Sequence, residues 1–187
     1  MWTQFWEWLA HLPQGSASFV GTLTGSSLGL VALLLGALFN AQLNRRRDDR
    51  LRNIERKSVA VALHAELSSI QKTLLGNAES LTNNPPEDGG GFVVPDVIHS
   101  TIVLEHMLPR IGLLDPATTR KVLDAHILLG QYFQSLMLVG GTALQNLPEG
   151  RRLLSLPSSM ASFTIEFNQG RAAVVKEAID ALARYVK

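Results

Sequence analysis

The sequence predicts an all-α protein in which an N-terminal transmembrane helix continues into a cytosolic bundle of about four helices. Three features carry that prediction. Residues 19–39 contain no charged side chain. Beyond them, apolar residues recur at helical spacings of three and four, and no alternating strand pattern competes. Only 18% of the 187 residues are charged, against about 25% in ordinary soluble domains. Composition also excludes several classes. Cysteine is absent, which removes a disulfide framework, a thiolate zinc site and a cysteine nucleophile. With 17 basic and 16 acidic residues the net charge is +1, so no overall field steers nucleic acid, and no direct nucleic-acid partner is expected.

Residues 1–17 read as an interfacial amphipathic segment. Trp2, Phe5, Trp6 and Leu9 fall at i, i+3, i+4 and i+7, on one helical face, and all three tryptophans lie within the first eight residues. Aromatic rings on one face suit the headgroup boundary of a bilayer.

The transmembrane helix is placed at 18–40. At 1.5 Å per residue its charge-free run spans about 30 Å, the thickness of a hydrocarbon core. Residues 45–57 then carry seven basic and three acidic side chains, whereas residues 1–18 carry only Glu7. The positive-inside rule puts the arginines in the cytoplasm and the N-terminus outside. A cleavable signal would carry its positive charge before the apolar run, not after it. The lipid bilayer is thus the first expected partner.

Gly21, Gly25 and Gly29 are spaced by four, with Ala17 before them and Ala32 and Gly36 after. One face of the span is nearly bare backbone. Helices in lipid associate through close approach, which such a face permits, so a homo-oligomer is expected. The G-x-x-x-G-x-x-x-G pattern resembles the glycine zippers of oligomeric channel proteins. That resemblance implies a ring in which Thr22 and Ser26 face water and the stretch from Leu33 to Leu35 forms an apolar constriction.

Residues 41–82 form a basic collar and a long helical stalk. Arg45, Arg46 and Arg47, followed by Arg50, Arg52, Arg56 and Lys57, suit anionic headgroups. Arg45 with Asp49, and Asp48 with Arg52, are i, i+4 pairs that support a continuing helix. Ala60, Leu63, Leu67, Ile70 and Leu74 then make a single apolar seam.

Residues 83–94 are rich in proline and glycine and read as a flexible loop, with Phe92, Val93 and Val94 too few for a strand. The helical domain is placed at 95–187. A second helix starts near Pro95 and Asp96, buries Val94, Val97, Thr101, Leu104, Leu108 and Ile111, and kinks or ends at Pro109. Asp115 and Pro116 are an N-cap and N1 pair for a third helix. Its expected seam is Leu123, Ile127, Gly130, Phe133, Met137, Gly140 and Leu144. After a turn at residues 147–150, a last helix begins near Ser158 or Ser159. It buries Met160, Phe163, Phe167, Gly170, Val174, Ala178, Ala181 and Tyr185. Residues 125–148 lack formal charge apart from His126. Their glutamines and Asn146 favour a core helix or an oligomer interface over a second span.

Chemistry is sparse. No P-loop, G-x-S-x-G, H-E-x-x-H or dinucleotide fingerprint occurs. Asp96 and His99 are i, i+3 without a third ligand at helical spacing, so neither a metal nor a cofactor is expected. The segment from Arg120 to His126 resembles the R-x(4–6)-H motif of HEPN ribonucleases, with Lys121 where that family usually has a polar, non-basic residue. The resemblance implies a composite RNA-cleaving site built from Arg120 and His126 of two protomers.

The layout of one N-terminal span and a helical cytosolic part resembles small membrane effectors of bacterial antiphage systems, including pore-type accessory proteins of RNA-targeting CRISPR loci. Three functions follow as expectations. The first is a non-enzymatic oligomeric membrane effector or pore, with a protein partner on the cytosolic bundle. The second is a passive membrane scaffold. The third is a membrane-tethered HEPN-like ribonuclease.

Overall fold

The structure, a computed structural model, describes residues 2–11, 13–97, 102–144 and 152–186. It divides into two compact units, Met1–Leu51 and Arg52–Lys187.

The first unit is helical except at the link between its two helices. Helix α1 (Trp2–Ala10) is followed by Pro13 and by α2 (Gln14–Asn83). Proline lacks an N–H and is tolerated where a helix begins, because the first N–H groups have no partner there. The Pro13 carbonyl accepts from Ser16 N at 2.8 Å. The boundaries at 17/18 and 40/41 both fall inside α2, which has no backbone break at either. Among the described residues this is the one helix long and apolar enough to cross a membrane, and none of its apolar window is buried.

In the second unit, α2 supplies the largest share of the core. Ala60, Leu63, Leu67, Ile70 and Leu74 are all 0% exposed, as their spacing predicts. The helix stops before Pro85 and Pro86, neither of which could donate the next helical hydrogen bond.

The all-α expectation then needs correcting. Residues 91–95 are a strand, β1 (Gly91–Pro95), not the end of a loop. It pairs antiparallel with β3 (Leu153–Pro157), which also pairs with the short β2 (Thr142–Ala143), in the order β1-β3-β2. Val94 lies opposite Leu154 and Phe92 opposite Leu156. Val94, Leu154 and Leu156 enter the core while Val93 faces out, the period of two that a strand imposes. A strand of five residues stays within its hydrogen-bonding needs only when a partner supplies them, and that partner lies some sixty residues away.

The second helix likewise starts later than Pro95. Asp96 N continues the strand interaction, donating to Arg152 O at 2.8 Å. Helix α3 is Ile102–Met107, followed by a 3-10 turn at Leu108–Leu113 that carries Pro109. Residues 98–101, including His99 and Thr101, lie outside the described residues, as does the turn at 147–150.

Helix α4 (Pro116–Gly130) opens on the expected cap: Asp115 accepts from Ala117 N at 3.1 Å and Thr118 N at 3.3 Å. Its buried face is not the expected seam. Val122, Ala125 and Leu129 are buried, followed by Tyr132 and Leu136 of α5 (Tyr132–Leu138), whereas Ile127 is 56% exposed and Met137 45%. The segment is apolar on two faces, and tertiary contact selects the one that is a residue out of phase with the expectation. The break at Gln131 and the sheet beyond Gly141 also rule out a continuous span over 125–148.

Helix α6 (Ala161–Val186) follows a 3-10 turn at Ser158–Met160. It buries Thr164, Asn168, Ala172, Val175, Ala178 and Leu182, while Phe163 stays 39% exposed. Of the expected seam, Ala178 is fully buried, and Met160, Phe167 and Tyr185 pack against the core from its margin.

Two glycines separate backbone need from open space. At Gly141 an added Cβ would stand 2.7 Å from the Leu136 carbonyl oxygen, a backbone atom, while at Gly170 it would meet nothing within 4 Å. Gly141→Ala should therefore destabilise the fold by about 1–3 kcal/mol through forced backbone movement. Gly170→Ala should stabilise it by about 1 kcal/mol, the helix-propensity difference. Thermal unfolding of the full chain in detergent, followed by circular dichroism, reads both; equal shifts would contradict this packing.

Candidate functional site

In the first unit the small-residue face stands open. Gly21, Gly25, Gly29 and Gly36 have nothing within 4 Å of an added Cβ, and Ala32 is exposed beside them. The span's leucines, Leu23, Leu28, Leu30, Leu33, Leu34, Leu35 and Leu38, are 55–74% exposed, with Phe19 and Phe39 alike. The threonines need no water for their hydroxyls. Thr22 Oγ1 donates to Ser18 O at 2.9 Å and Thr24 Oγ1 to Val20 O at 2.8 Å, each one turn back along the helix. Trp2 is 75% exposed on α1; the side chains of Phe5 and Trp6, on the same helix, lie outside what the structure describes. Arg45, Arg46 and Arg47 are exposed on α2. Neither Arg45–Asp49 nor Asp48–Arg52 closes as an ion pair among the described residues.

Three polar clusters organise the second unit. The first is Glu66, which stands between Leu63 and Leu67 on α2 and is 9% exposed. Its Oε1 accepts from Val103 N at 2.8 Å and its Oε2 from Leu104 N at 2.7 Å. The first N–H groups of any helix lack an acceptor within it, and at α3 one carboxylate takes two of them. Burial raises the Glu66 pKa above its ordinary 4.5; the bonds from Val103 and Leu104 lower it, Glu105 adds to the rise, and His126 opposes it.

The second cluster joins the end of α6 to the start of α4. Tyr185 OH donates to Asp115 Oδ2 at 2.6 Å and accepts from Asp115 N at 3.1 Å. Arg184 reaches both Asp115 and Thr118. The carboxylate that caps α4 thus also anchors α6.

The third cluster lies between α5 and α6. Tyr132, fully buried, donates to Asn168 Oδ1 at 2.9 Å. Burial raises the phenol's pKa, with Arg171 and the Asn168 bond opposing it. Arg171 stacks on Phe167, 3.4 Å from the ring centroid. Phe167 in turn lies 5.5 Å from both Tyr132 and Phe163, centroid to centroid.

The ribonuclease-like pair is not brought together. Arg120 is largely exposed and sits 3.9 Å from Asp124 on its own helix. His126, six residues on, turns inward, where it acts on Glu66, and its Nδ1 is buried. Among the described residues no group of three or more metal-ligating side chains forms.

Sequence reasoning passed over Glu66, Asn168 and Thr164 because it sought apolar seams. The available signal was polar residues at seam positions: Glu66 between Leu63 and Leu67, and Thr164 and Asn168 four apart.

No protein-family model matches the chain, and comparison with curated proteins and with solved structures gives no match.

Replacing Glu66 with alanine leaves two backbone N–H groups without their acceptor and should cost about 1–3 kcal/mol. Because the folded pKa lies above 4.5, the folded state holds its proton to a higher pH than the unfolded chain. The carboxyl's contribution is thus full below about 4.5 and declines as pH rises through the folded value. The stability gap between wild type and Glu66→Ala should narrow in thermal melts as pH rises above 4.5, whereas a gap that widens with pH would contradict the assignment.

Proposed function

We propose that the chain is a single-span protein of the bacterial inner membrane, with its N-terminus outside, that self-associates through Gly21, Gly25, Gly29, Ala32 and Gly36. In this reading it presents the second unit to a partner in the cytoplasm and acts as an oligomeric effector or pore without enzymatic chemistry of its own, in a role such as antiphage defence.

The observation that carries the reading is the full exposure of the apolar window of α2. A buried core helix also passes tests of length and apolarity, but it is covered by its own protein, and this window is not. Each exposed leucine forgoes about 1.5–3 kcal/mol of burial in water. A bilayer relieves that cost for the leucines. It gives the glycine face no comparable gain, because lipid tails pack less closely against bare backbone than a second helix does. Hydroxyls turned back onto the helix backbone at Thr22 and Thr24 suit a dry helix–helix contact as well as a water-lined ring. The exposed arginines of the collar fit the anionic inner surface.

The scaffold reading shares the membrane and the oligomer but lacks conduction. The ribonuclease-like reading draws no support from Arg120 and His126, which point in different directions.

Native mass measurement of the detergent-purified chain should give a defined oligomer. Gly25→Leu should weaken its association about tenfold, or ~1.4 kcal/mol, by spacing the helices apart. A strict monomer at every concentration would overturn self-association. An intact oligomer that releases no ions from liposomes would favour the scaffold over the pore.

A further inference from the structure

Several surface cations of the second unit are paired with carboxylates of the same unit. Arg110 lies 3.5 Å from Glu55, Lys121 3.4 Å from Glu177, Lys176 2.6 Å from Asp180, and Arg184 pairs with Asp115. The groove between α4 and α6, lined by Thr118, Lys121, Asp180 and Arg184, therefore has its charges met from within the unit.

Arg171 differs. It is partly buried and forms no ion pair among the described residues. Its Nε is buried without an acceptor, and its Nη2 reaches only Ser135 Oγ, at a long 3.4 Å. Burial pulls its pKa below the usual arginine range, with Tyr132 acting the other way. The Phe167 stack occupies the face of the guanidinium and leaves its edge, where all five N–H donors lie, largely unspent. A cation withdrawn from water without a counter-charge is costly, and an incoming anion would recover that cost.

The surroundings narrow the anion's source. Phe163, 39% exposed, precedes Phe167 and Arg171 at successive four-residue steps along α6. Leu138, 87% exposed, follows Ser135 by one turn on α5. A free inorganic anion would meet the charge and leave these apolar side chains in water. Arginine beside aromatic rings, edged by apolar residues, is the composition of an interface hot spot.

We propose that Arg171, Ser135, Phe163 and Leu138 form a docking site for a partner protein segment that sets an Asp or Glu carboxylate against the guanidinium edge and an adjacent apolar side chain against Phe163 and Leu138. The site deepens the partner-binding half of the proposed function and rests on it.

The test selects displayed random peptides on the full chain in detergent, wild type against Arg171→Gln. Thermal melting and native mass of both are recorded, so that self-association of the span is read separately. Peptides enriched on wild type should carry Asp or Glu beside a large apolar residue. Their affinity should fall at least about 30-fold on Arg171→Gln, and equally when the peptide's Glu becomes Gln. The two changes together should cost no more than either alone. Arg171→Lys, which keeps the charge without the planar fork, should bind with intermediate affinity and covers the case in which Arg171→Gln fails to fold. Enrichment of carboxylate-free peptides, no enrichment on wild type, or binding unchanged in Arg171→Gln overturns the proposal. So does an oligomer that Arg171→Gln alone dissociates, which would assign the face to a second copy.

Discussion

A single helix, α2, has to meet two different solvent demands. Over its apolar window it is hydrophobic on average and uncovered. Between Val59 and Ala78 it is hydrophobic on one face only, and that face is entirely buried. The first condition suits a helix surrounded by lipid, and the second suits a helix that forms one wall of a core in water. Every other element of the second unit is arranged around the Ala60–Leu63–Leu67–Ile70–Leu74 face. Several of these elements are short: six residues in α3, seven in α5 and five in each of the longer strands. None could hold its conformation without that wall, because short helices and strands cost more backbone entropy than their own hydrogen bonds return.

Short elements leave backbone groups unsatisfied, and the polar clusters answer that need. Glu66 takes the first N–H groups of α3, and Asp115 takes those of α4 while holding Arg184 and Tyr185 of α6. Both carboxylates serve an element distant in sequence from themselves or bind one to it. Tyr132 and Asn168 do the same between α5 and α6. Arg171, beside them, is a cation stacked on Phe167 whose buried Nε has no acceptor, as Asn168 Nδ2 and Thr164 Oγ1 have no hydrogen-bond partner.

Much of this was legible in the residues. The charge-free run, the seam of α2, the proline stop after Asn83 and the Asp115–Pro116 cap depend on local chemistry, and the structure has each of them. The strands were not legible. Gly91 to Pro95 is too short to declare a period, and its partner lies across most of the second unit. The faces of α4, α5 and α6 were also hidden, for a different reason. Residues 122, 125, 129, 132 and 136 form as regular a seam as 123, 127, 130, 133 and 137, and both are largely apolar. In α6 the buried series includes Thr164 and Asn168, so the apolar series through Phe163 looked the better candidate. For the candidate sites, the glycine face could be read from spacing alone, whereas the partial burial of Arg171 against Phe167 depends on which face of α6 turns inward.

The sequence by itself determined where the chain is too apolar for water, where its charge changes sign, and where helices start and stop, because solvation, capping and proline geometry act over a few residues. Only the tertiary structure decided which of two equivalent helix faces is buried, which carboxylate caps a remote helix, and that a sheet forms at all. Those outcomes turn on partners dozens of residues away, and a local pattern holds no record of the partner that will cover it.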